Sequence, residues 1–482
     1  MITLLDYGAG NVRSVINAIE KLGERVTVAK TGRDILSADK LLFPGVGSFG
    51  SMMSTLRQKR FVEPLVAYIG CGRPFFGICL GMQALFEGSD EAPEEKGLCI
   101  LPGRVKRFDV DLAIPHIGWN GISVKQPTDL FYGLDGDEKF YFVHSYHVVV
   151  DDPAVVLTTT DYGYPFVSAV QRGSIQGTQF HPEKSGASGL TLLENFIRKD
   201  REVTIPLKSL SQTRLAKRII ACLDVRANDR GDLVVTKGDQ YDVREDGNVR
   251  NLGKPVELAG RYFEEGADEV TFLNITGFRD FPLQDMPMIQ VLKETSRNVF
   301  VPLTIGGGIR DFTDKNGRAY TALQVAAEYF RSGADKVSIG SDAVVVVEEY
   351  LKTGKMTGQS AIEQISYVYG NQAVVISIDP RRVYVDSPEQ TSEKLGAGEI
   401  LLNCIDRDGT NMGFDIELIN AVKQAVTIPV IASSGAGCEA HFAEVFEKTN
   451  AESALAAGIF HRREVPISAV KQHLKNTVEV RL

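Results

Sequence analysis

Tryptophan occurs once in the 482 residues, and cysteine only six times, at positions 71, 79, 99, 222, 404 and 438. The cysteines are dispersed, with no Cys-x-x-Cys spacing and no clustering with histidine. That argues against a disulfide framework or a zinc site and for reduced thiols. Positive charge is also short: 53 Lys and Arg against 62 Asp and Glu leave a formal net charge of −9, with no basic run to override it. A nucleic-acid partner is therefore not expected. No apolar stretch approaches the length of a membrane span, and the opening MITLLDYGAG lacks the basic region of a secretion signal. The expected setting is cytoplasmic, or plastidic if a plant transit segment has been removed. No metal and no cofactor is expected.

What is present describes a soluble globular chain, 43% hydrophobic and 24% charged, too long for one ordinary core. From Met1 to about Arg198, β-like runs alternate with helical patterns. ITLLD leads into an apolar stripe of Val12, Val15, Ile16, Ile19 and Leu22, with Asn11 as cap and Gly23 as stop. Further strands are expected at KLLFPGVGS, 139–143, 155–159, 166–170 and 174–180, and a helix over 190–198. The pattern predicts a mixed α/β sheet domain over 1–199, with 200–214 as linker.

The remainder repeats a small-residue turn followed by a short apolar strand: EEGADEVTFLN, RSGADKVSIG, KLGAGEILLN and the weaker TNAESALAAG. RIIACLDV, VFVPLTIGGG, AVVISIDP and TIPVIASSGAG lie between them. Eight near-continuous apolar strands, mostly separated by helix-sized segments, predict a (β/α)8 barrel over 215–482. One place does not fit. RRVYVDSPEQTSEKLGAG, between Asp379 and Glu399, contains no full crossover helix. An omitted stretch of chain explains this better than a barrel lacking that helix.

Barrel chemistry sits at the C-terminal strand ends. Strand 1 ends in Asp224 and strand 5 in Asp379, facing positions suited to a general acid and a general base. Lys237, soon after strand 1, can steady an anion or a loop. Glycine turns follow strands 3 and 4 (Gly306–Gly308, Gly340–Ser341) and strands 7 and 8 (Ser434–Gly437, Ala457–Gly458). Such turns let backbone N–H groups approach an anion. Their placement on opposite sides implies a long substrate with a phosphate at each end. At the other end of the barrel, Arg218, Glu269, Lys336 and Glu399 open strands 1, 2, 4 and 6. They are either solvated strand ends or a ring plugging the barrel bottom.

In the first domain, Gly77-Ile78-Cys79-Leu80-Gly81 repeats, with cysteine, the G-x-S-x-G pattern of a nucleophile elbow. Such a turn presents sulfur at a helix N-terminus, where thiolate is favoured. QFHPEKS supplies a base and its orienting partner, His181 and Glu183, on one side of an extended chain enforced by Pro182. Gly45-Val46-Gly47 offers an oxyanion N–H beside that of Leu80. His116, His144 and His147 are rival bases.

These motifs carry a likeness. PGVG (44–47), GICLGMQ (77–83) and QFHPEKS (179–185) resemble the class I glutamine amidotransferases. AKRIIACLDV, VTKG, PLTIGGGIRDF, SGADKVSIG, AVVISID, GAGEILLNCIDRDGT and IASSGAG resemble the cyclase barrel of the imidazole glycerol phosphate synthases. The likeness covers almost the whole chain, with both halves fused as in the eukaryotic bifunctional enzymes of histidine biosynthesis.

The resemblance implies that Cys79 attacks glutamine, with His181 as proton carrier and Glu183 holding its ring. Val46, Gly47, Leu80, Gln83, Glu91, Ser145 and Tyr146 would form the oxyanion and glutamine pocket. Asp224 and Asp379 would be the acid/base pair acting on a bisphosphorylated phosphoribulosyl-formimino aminoimidazole carboxamide ribonucleotide. Lys237, Gly307, Gly308, Gly340, Ser341, Asp408, Ser433, Gly435, Ala457 and Gly458 would bind that substrate. Arg218, Glu269, Lys336 and Glu399 match an ammonia gate, and Lys184 and Asp335 an internal interface pair. Asn274 departs from bacterial relatives, which carry aspartate there. Two other readings stay open: a glutaminase fused to a related sugar-phosphate isomerase barrel, and a non-enzymatic regulator with a relic triad.

Overall fold

The computed structural model describes residues 1–8, 10–198, 213–228, 232–236, 244–245, 248–249, 251–275, 283, 286–379 and 395–482. Two compact units result: Met1–Leu215 with Tyr367–Gly370, and Ala216–Ser366 with Asn371–Leu482. No described helix is long and apolar enough to cross a membrane.

The first unit is built on one mixed sheet. Strands Val26–Ala29, Ile2–Leu5, Lys40–Gly45, Phe75–Cys79 and Ile175–Thr178 run parallel in that order. Tyr164–Arg172, Tyr146–Val150 and Gly103–Arg107 extend it antiparallel. The expected stripe forms helix Val12–Lys21, and the Asn11 side chain caps it by accepting from Ser14 N–H. The closing helix, Gly186–Ile197, begins four residues before the expected 190. Its first turn is rich in glycine and serine, which hides a helix from a pattern search. The expected linker lies outside the described residues except 213 and 214. Thr213 is fastened to Asp161, its N–H donating to Oδ2 at 2.8 Å.

Strand order explains why three distant motifs meet. Lys40–Gly45, Phe75–Cys79 and Ile175–Thr178 are neighbours, with Gly45 opposite Cys79 and Thr178 opposite Ile78. PGVG, Cys79 and QFHPE therefore emerge at the same ends of adjacent parallel strands.

The second unit is a closed barrel of eight parallel strands: Arg218–Ala227, Glu269–Asn274, Leu303–Gly306, Lys336–Ile339, Val374–Ile378, Glu399–Asn403, Val430–Ser433 and Ser453–Ala456. The first and last strands pair to close it. The fifth and sixth are direct neighbours, Val375 opposite Glu399; 380–394 lie outside the described residues. Side chains alternate along a strand. Hence Arg218, Ile220, Cys222 and Asp224 share one face, as do Glu399, Leu401 and Asn403. Ile220, Cys222, Val375, Leu401, Ile431 and Leu455 form the barrel's apolar interior. The columns of the first and sixth strands thus each carry an ionic residue at the start, an apolar middle and a polar residue at the end, Asp224 or Asn403.

Candidate active sites

Cys79 ends its strand with φ 52° and ψ −109°, a conformation L residues rarely adopt. Held there, it caps the short helix Leu80–Gln83. Gly81 is required by a close approach: a Cβ on it would lie 1.9 Å from the Phe43 carbonyl oxygen. The elbow is buried, with Cys79 only 4% exposed.

His181 Nδ1 donates to Glu183 Oε1 at 2.8 Å. His181 is extended, as Pro182 demands, but Glu183 sits in a 3-10 turn, Pro182–Lys184. The extended-chain argument for their pairing is therefore corrected. The turn folds Glu183 back onto the ring. Burial works against a charged His181, yet the charges and hydrogen bonds of Glu183 and Cys79 outweigh it and raise its pKa well above the ordinary value.

The rival histidines are excluded as bases by their wiring. Asn120 faces His116 Nε2 with its amide nitrogen at 3.5 Å; its Oδ1 is taken by Gly121 N–H, and Nδ2 also donates to the Asp161 carbonyl. His116 Nδ1 then donates to His144 Nε2 at 3.1 Å, and His144 Nδ1 to the Tyr146 carbonyl at 2.7 Å. His147 is engaged by Tyr164 and the Val148 carbonyl. Burial lowers all three pKa values, that of His144 to about 3, and keeps the rings neutral.

Around the thiol, Gln83 Nε2 donates to the Tyr146 carbonyl at 3.1 Å and to Gln179 Oε1 at 2.9 Å. Glu91 accepts from Phe49 N–H, and its charge bears on Tyr146. Burial raises the Glu91 pKa to about 7, with the Phe49 hydrogen bond working against it. Gly47 has φ +118°, and the Val46 carbonyl accepts from the Tyr7 hydroxyl. Ser145 accepts from Phe108 N–H through its carbonyl. Lys184 is buried next to the triad in the first unit. In the second, Asp335 Oδ2 accepts from Leu303 N–H at 2.8 Å.

In the barrel, Asp224, Asp379, Asp408, Ser433, Gly435, Ala457 and Gly458 line one cavity of about 400 Å3. Gly307, Gly308 and Gly340 line a second of about 310 Å3, on the side of strands 3 and 4. Asp379 and Asn403 line both. A Cβ on Gly307 (φ +88°) would sit 2.1 Å from the Asn274 carbonyl oxygen, so only glycine lets this loop close down. Lys237 and the Ser341 side chain lie outside the described residues.

At the opposite end, Arg218 bonds Glu269 at 2.9 Å and also Glu399, while Lys336 reaches Glu269 at 2.8 Å and Glu399 at 2.5 Å. All four are fully buried. They are a closed ring of alternating charge, which removes the alternative of solvated strand ends. Burial pushes the Glu399 pKa up, but Arg218 and Lys336 outweigh it and hold it below the ordinary value.

Residues 3–199 match the family profile of class-I glutamine amidotransferases, and 218–466 that of histidine biosynthesis proteins. The chain is 54% identical to the chloroplastic imidazole glycerol phosphate synthase hisHF of Arabidopsis thaliana, over 100% of this chain and 90% of that one. It is 51% identical to the Schizosaccharomyces pombe hisHF synthase, with 98% of each chain covered, and 49% to that of Emericella nidulans, with 98% and 97% covered. The chain belongs to the fused imidazole glycerol phosphate synthase family.

As a fused synthase it is a bifunctional glutamine amidotransferase and cyclase of histidine biosynthesis. The isomerase and relic-regulator readings end here. The Arabidopsis alignment runs over 531 positions against 482 residues, so at least 49 positions of that synthase have no counterpart in this chain.

Three further side chains, given no role by the motifs, stand beside Cys79 or line the barrel cavities. Asn403 Nδ2 donates to Asp379 Oδ1 at 2.8 Å. Arg462 lines the larger cavity, its guanidinium held by Glu464 through bonds of 2.6 and 2.8 Å. Gln179 Nε2 approaches Cys79 Sγ at 3.4 Å. Strand parity would have found Asn403, four residues after Glu399, whereas Gln179 stands beyond its strand's end at Thr178 and was marked only by its place in QFHPEKS. Arg462 left no such signal.

Proposed function

We propose that Cys79 is the glutaminase nucleophile of residues 1–199 and that Asp224 and Asp379 perform the cyclase chemistry of residues 215–482. Sulfur attacks the amide carbon of glutamine, and the oxyanion is met by backbone N–H groups of Leu80 and the Val46–Gly47 segment. His181 protonates the departing ammonia, then takes a proton from the water that cleaves the thioester to glutamate. Gln83, Glu91, Ser145 and Tyr146 hold the substrate.

Ammonia then enters the barrel through the ring of Arg218, Glu269, Lys336 and Glu399. From Arg218 to Asp224 the interior column spans roughly 20 Å at strand rise. An apolar interior suits neutral ammonia and opposes ammonium. At the far end lies the bisphosphorylated ribonucleotide. One phosphate meets Gly307, Gly308, Gly340 and Ser341; the other meets Ser433, Gly435, Ala457 and Gly458, with Lys237 and Asp408 as further substrate-binding residues. Products are imidazole glycerol phosphate and aminoimidazole carboxamide ribonucleotide. The observation supporting this most is that two glycine-lined cavities share Asp379, with Asp224 in the larger.

We place the internal shortening relative to the Arabidopsis synthase in the Asp379–Glu399 connection. The proposed setting is cytoplasmic or plastidic, the latter in view of the chloroplastic relative.

Product analysis tests the assignment. Cys79→Ala should abolish glutamine-dependent turnover while cyclisation with ammonium salts survives. Asp224→Asn and Asp379→Asn should each abolish both. Full activity in either aspartate variant overturns the cyclase assignment.

A further inference from the structure

The hydrogen bonds around Cys79 run in one direction only. The Tyr146 carbonyl is an acceptor, so the atom of Gln83 that faces it must be the amide nitrogen. That nitrogen spends its second proton on Gln179, which must answer with Oε1. Gln179 is thereby left with its own nitrogen facing the sulfur, 3.4 Å away. The reverse orientation would set the two amide nitrogens against each other. The Tyr146 carbonyl is also held by the neutral His144 ring, itself oriented through His116 and Asn120. Gln179 is fully buried, and its backbone N–H is tied to the Ser168 carbonyl at 2.8 Å. The amide therefore has no solvent to turn toward.

From this geometry we infer that Gln179 is a catalytic residue of the glutaminase, donating an N–H to the Cys79 sulfur and so stabilising the attacking thiolate. A donor aimed at a buried anion favours the charged form. His181 takes the thiol proton, and Gln179 gives the resulting charge a fixed partner. The sulfur is then steered from two sides. When the thioester forms, the sulfur loses its charge and the N–H donor is no longer favoured there. The interaction thus belongs to the nucleophile rather than to the acyl-enzyme. The inference rests on the assignment of Cys79 as nucleophile.

The test uses the full chain with Gln179→Met, which removes the donor, and Gln179→Glu, which keeps an acceptor for Gln83 but offers sulfur no N–H. Three quantities are read: iodoacetamide modification of Cys79 at neutral pH by peptide mass spectrometry, kcat and KM for glutamine, and cyclisation with ammonium salts. Loss of a donor to a charged group should slow Cys79 alkylation and lower kcat roughly 10- to 100-fold in both variants. KM should change less than kcat, and ammonium-dependent cyclisation should stay at the parent level. If Gln179→Met fails to fold, Gln179→Glu carries the test. Folded variants with parental alkylation and kcat, or with only KM raised, overturn the inference. Cys79→Ala run alongside separates the two levels: glutaminase activity surviving in it overturns the nucleophile assignment itself.

Discussion

Asn403, the last residue of the sixth barrel strand, donates its side-chain amide to Oδ1 of Asp379 at the end of the fifth, 2.8 Å away. Asp379 is exposed in the barrel mouth, and among the described residues this bond orients its carboxylate. Asn403→Ala should therefore lower kcat for cyclisation about tenfold, the value of a hydrogen bond to a charged group. Basal glutaminase activity should not change. Assays with ammonium salts and with glutamine check both parts; undiminished cyclisation would show that Asp379 needs no such support.

With Glu91 in the glutamine pocket, as proposed, glutamine binding should depend on pH. Its carboxyl titrates at about 7 because burial opposes the charge. Below that pH it is neutral and cannot attract the α-ammonium group of glutamine; above it, the carboxylate can. KM for glutamine should fall as pH rises through about 7, and Glu91→Gln should raise KM and flatten the profile. The sign for stability is the reverse. The folded chain holds this proton between about 4.5 and 7, where the unfolded chain has lost it, so stability declines as pH rises across that window. Glu91→Gln should raise Tm at pH 8 by a few degrees. A KM that is flat with pH in the parent enzyme contradicts the role.

How much of this was readable beforehand varied with the kind of residue. The barrel was legible because a small-residue turn followed by a near-continuous apolar strand recurs along the second half of the chain, the pattern of strands buried on both faces. Cys79, His181 and Glu183 were legible because each needs particular small or rigid neighbours in the chain: Gly77, Gly81 and Pro182. The wiring of His116 and His144 was not. It depends on Asn120, Asp161 and Tyr146, brought together only by strand pairing. Arg462 is set by a local pair with Glu464, which reads in sequence as an ordinary surface charge. The sequence also made the His181–Glu183 pairing a strand feature, whereas a 3-10 turn produces it.

The elbow's tolerance for size is nearly zero at Gly81. A single methyl there would stand 1.9 Å from the Phe43 carbonyl oxygen, a backbone atom that cannot swing aside. Gly81→Ala should move the Phe75–Cys79 strand end and the oxyanion N–H of Leu80, costing at least a hundredfold in glutaminase kcat, the scale of a lost oxyanion donor. Ammonium-dependent cyclisation should persist, since the barrel is a separate compact unit. Parental glutaminase turnover in this variant would mean the elbow relaxes at no cost.

The ionic ring should be the acid-labile element of the barrel. Glu399 is held below the ordinary carboxyl value by Arg218 and Lys336 against the effect of burial. Its contribution to stability is therefore complete above about 4.5 and is lost as pH falls below that. Lys336→Met leaves two buried carboxylates sharing one guanidinium, and breaking a buried pair this way costs ~3–5 kcal/mol. Lys336→Met combined with Glu399→Gln should recover part of that loss, because the uncompensated charge goes with it. The single tryptophan makes the measurement clean. Trp119 is buried in the first unit, so its fluorescence follows that unit alone, while far-UV circular dichroism follows both. In urea, Lys336→Met should shift the dichroism transition and leave the fluorescence transition in place. Equal shifts of both signals would mean that the ring stabilises the whole chain rather than the barrel.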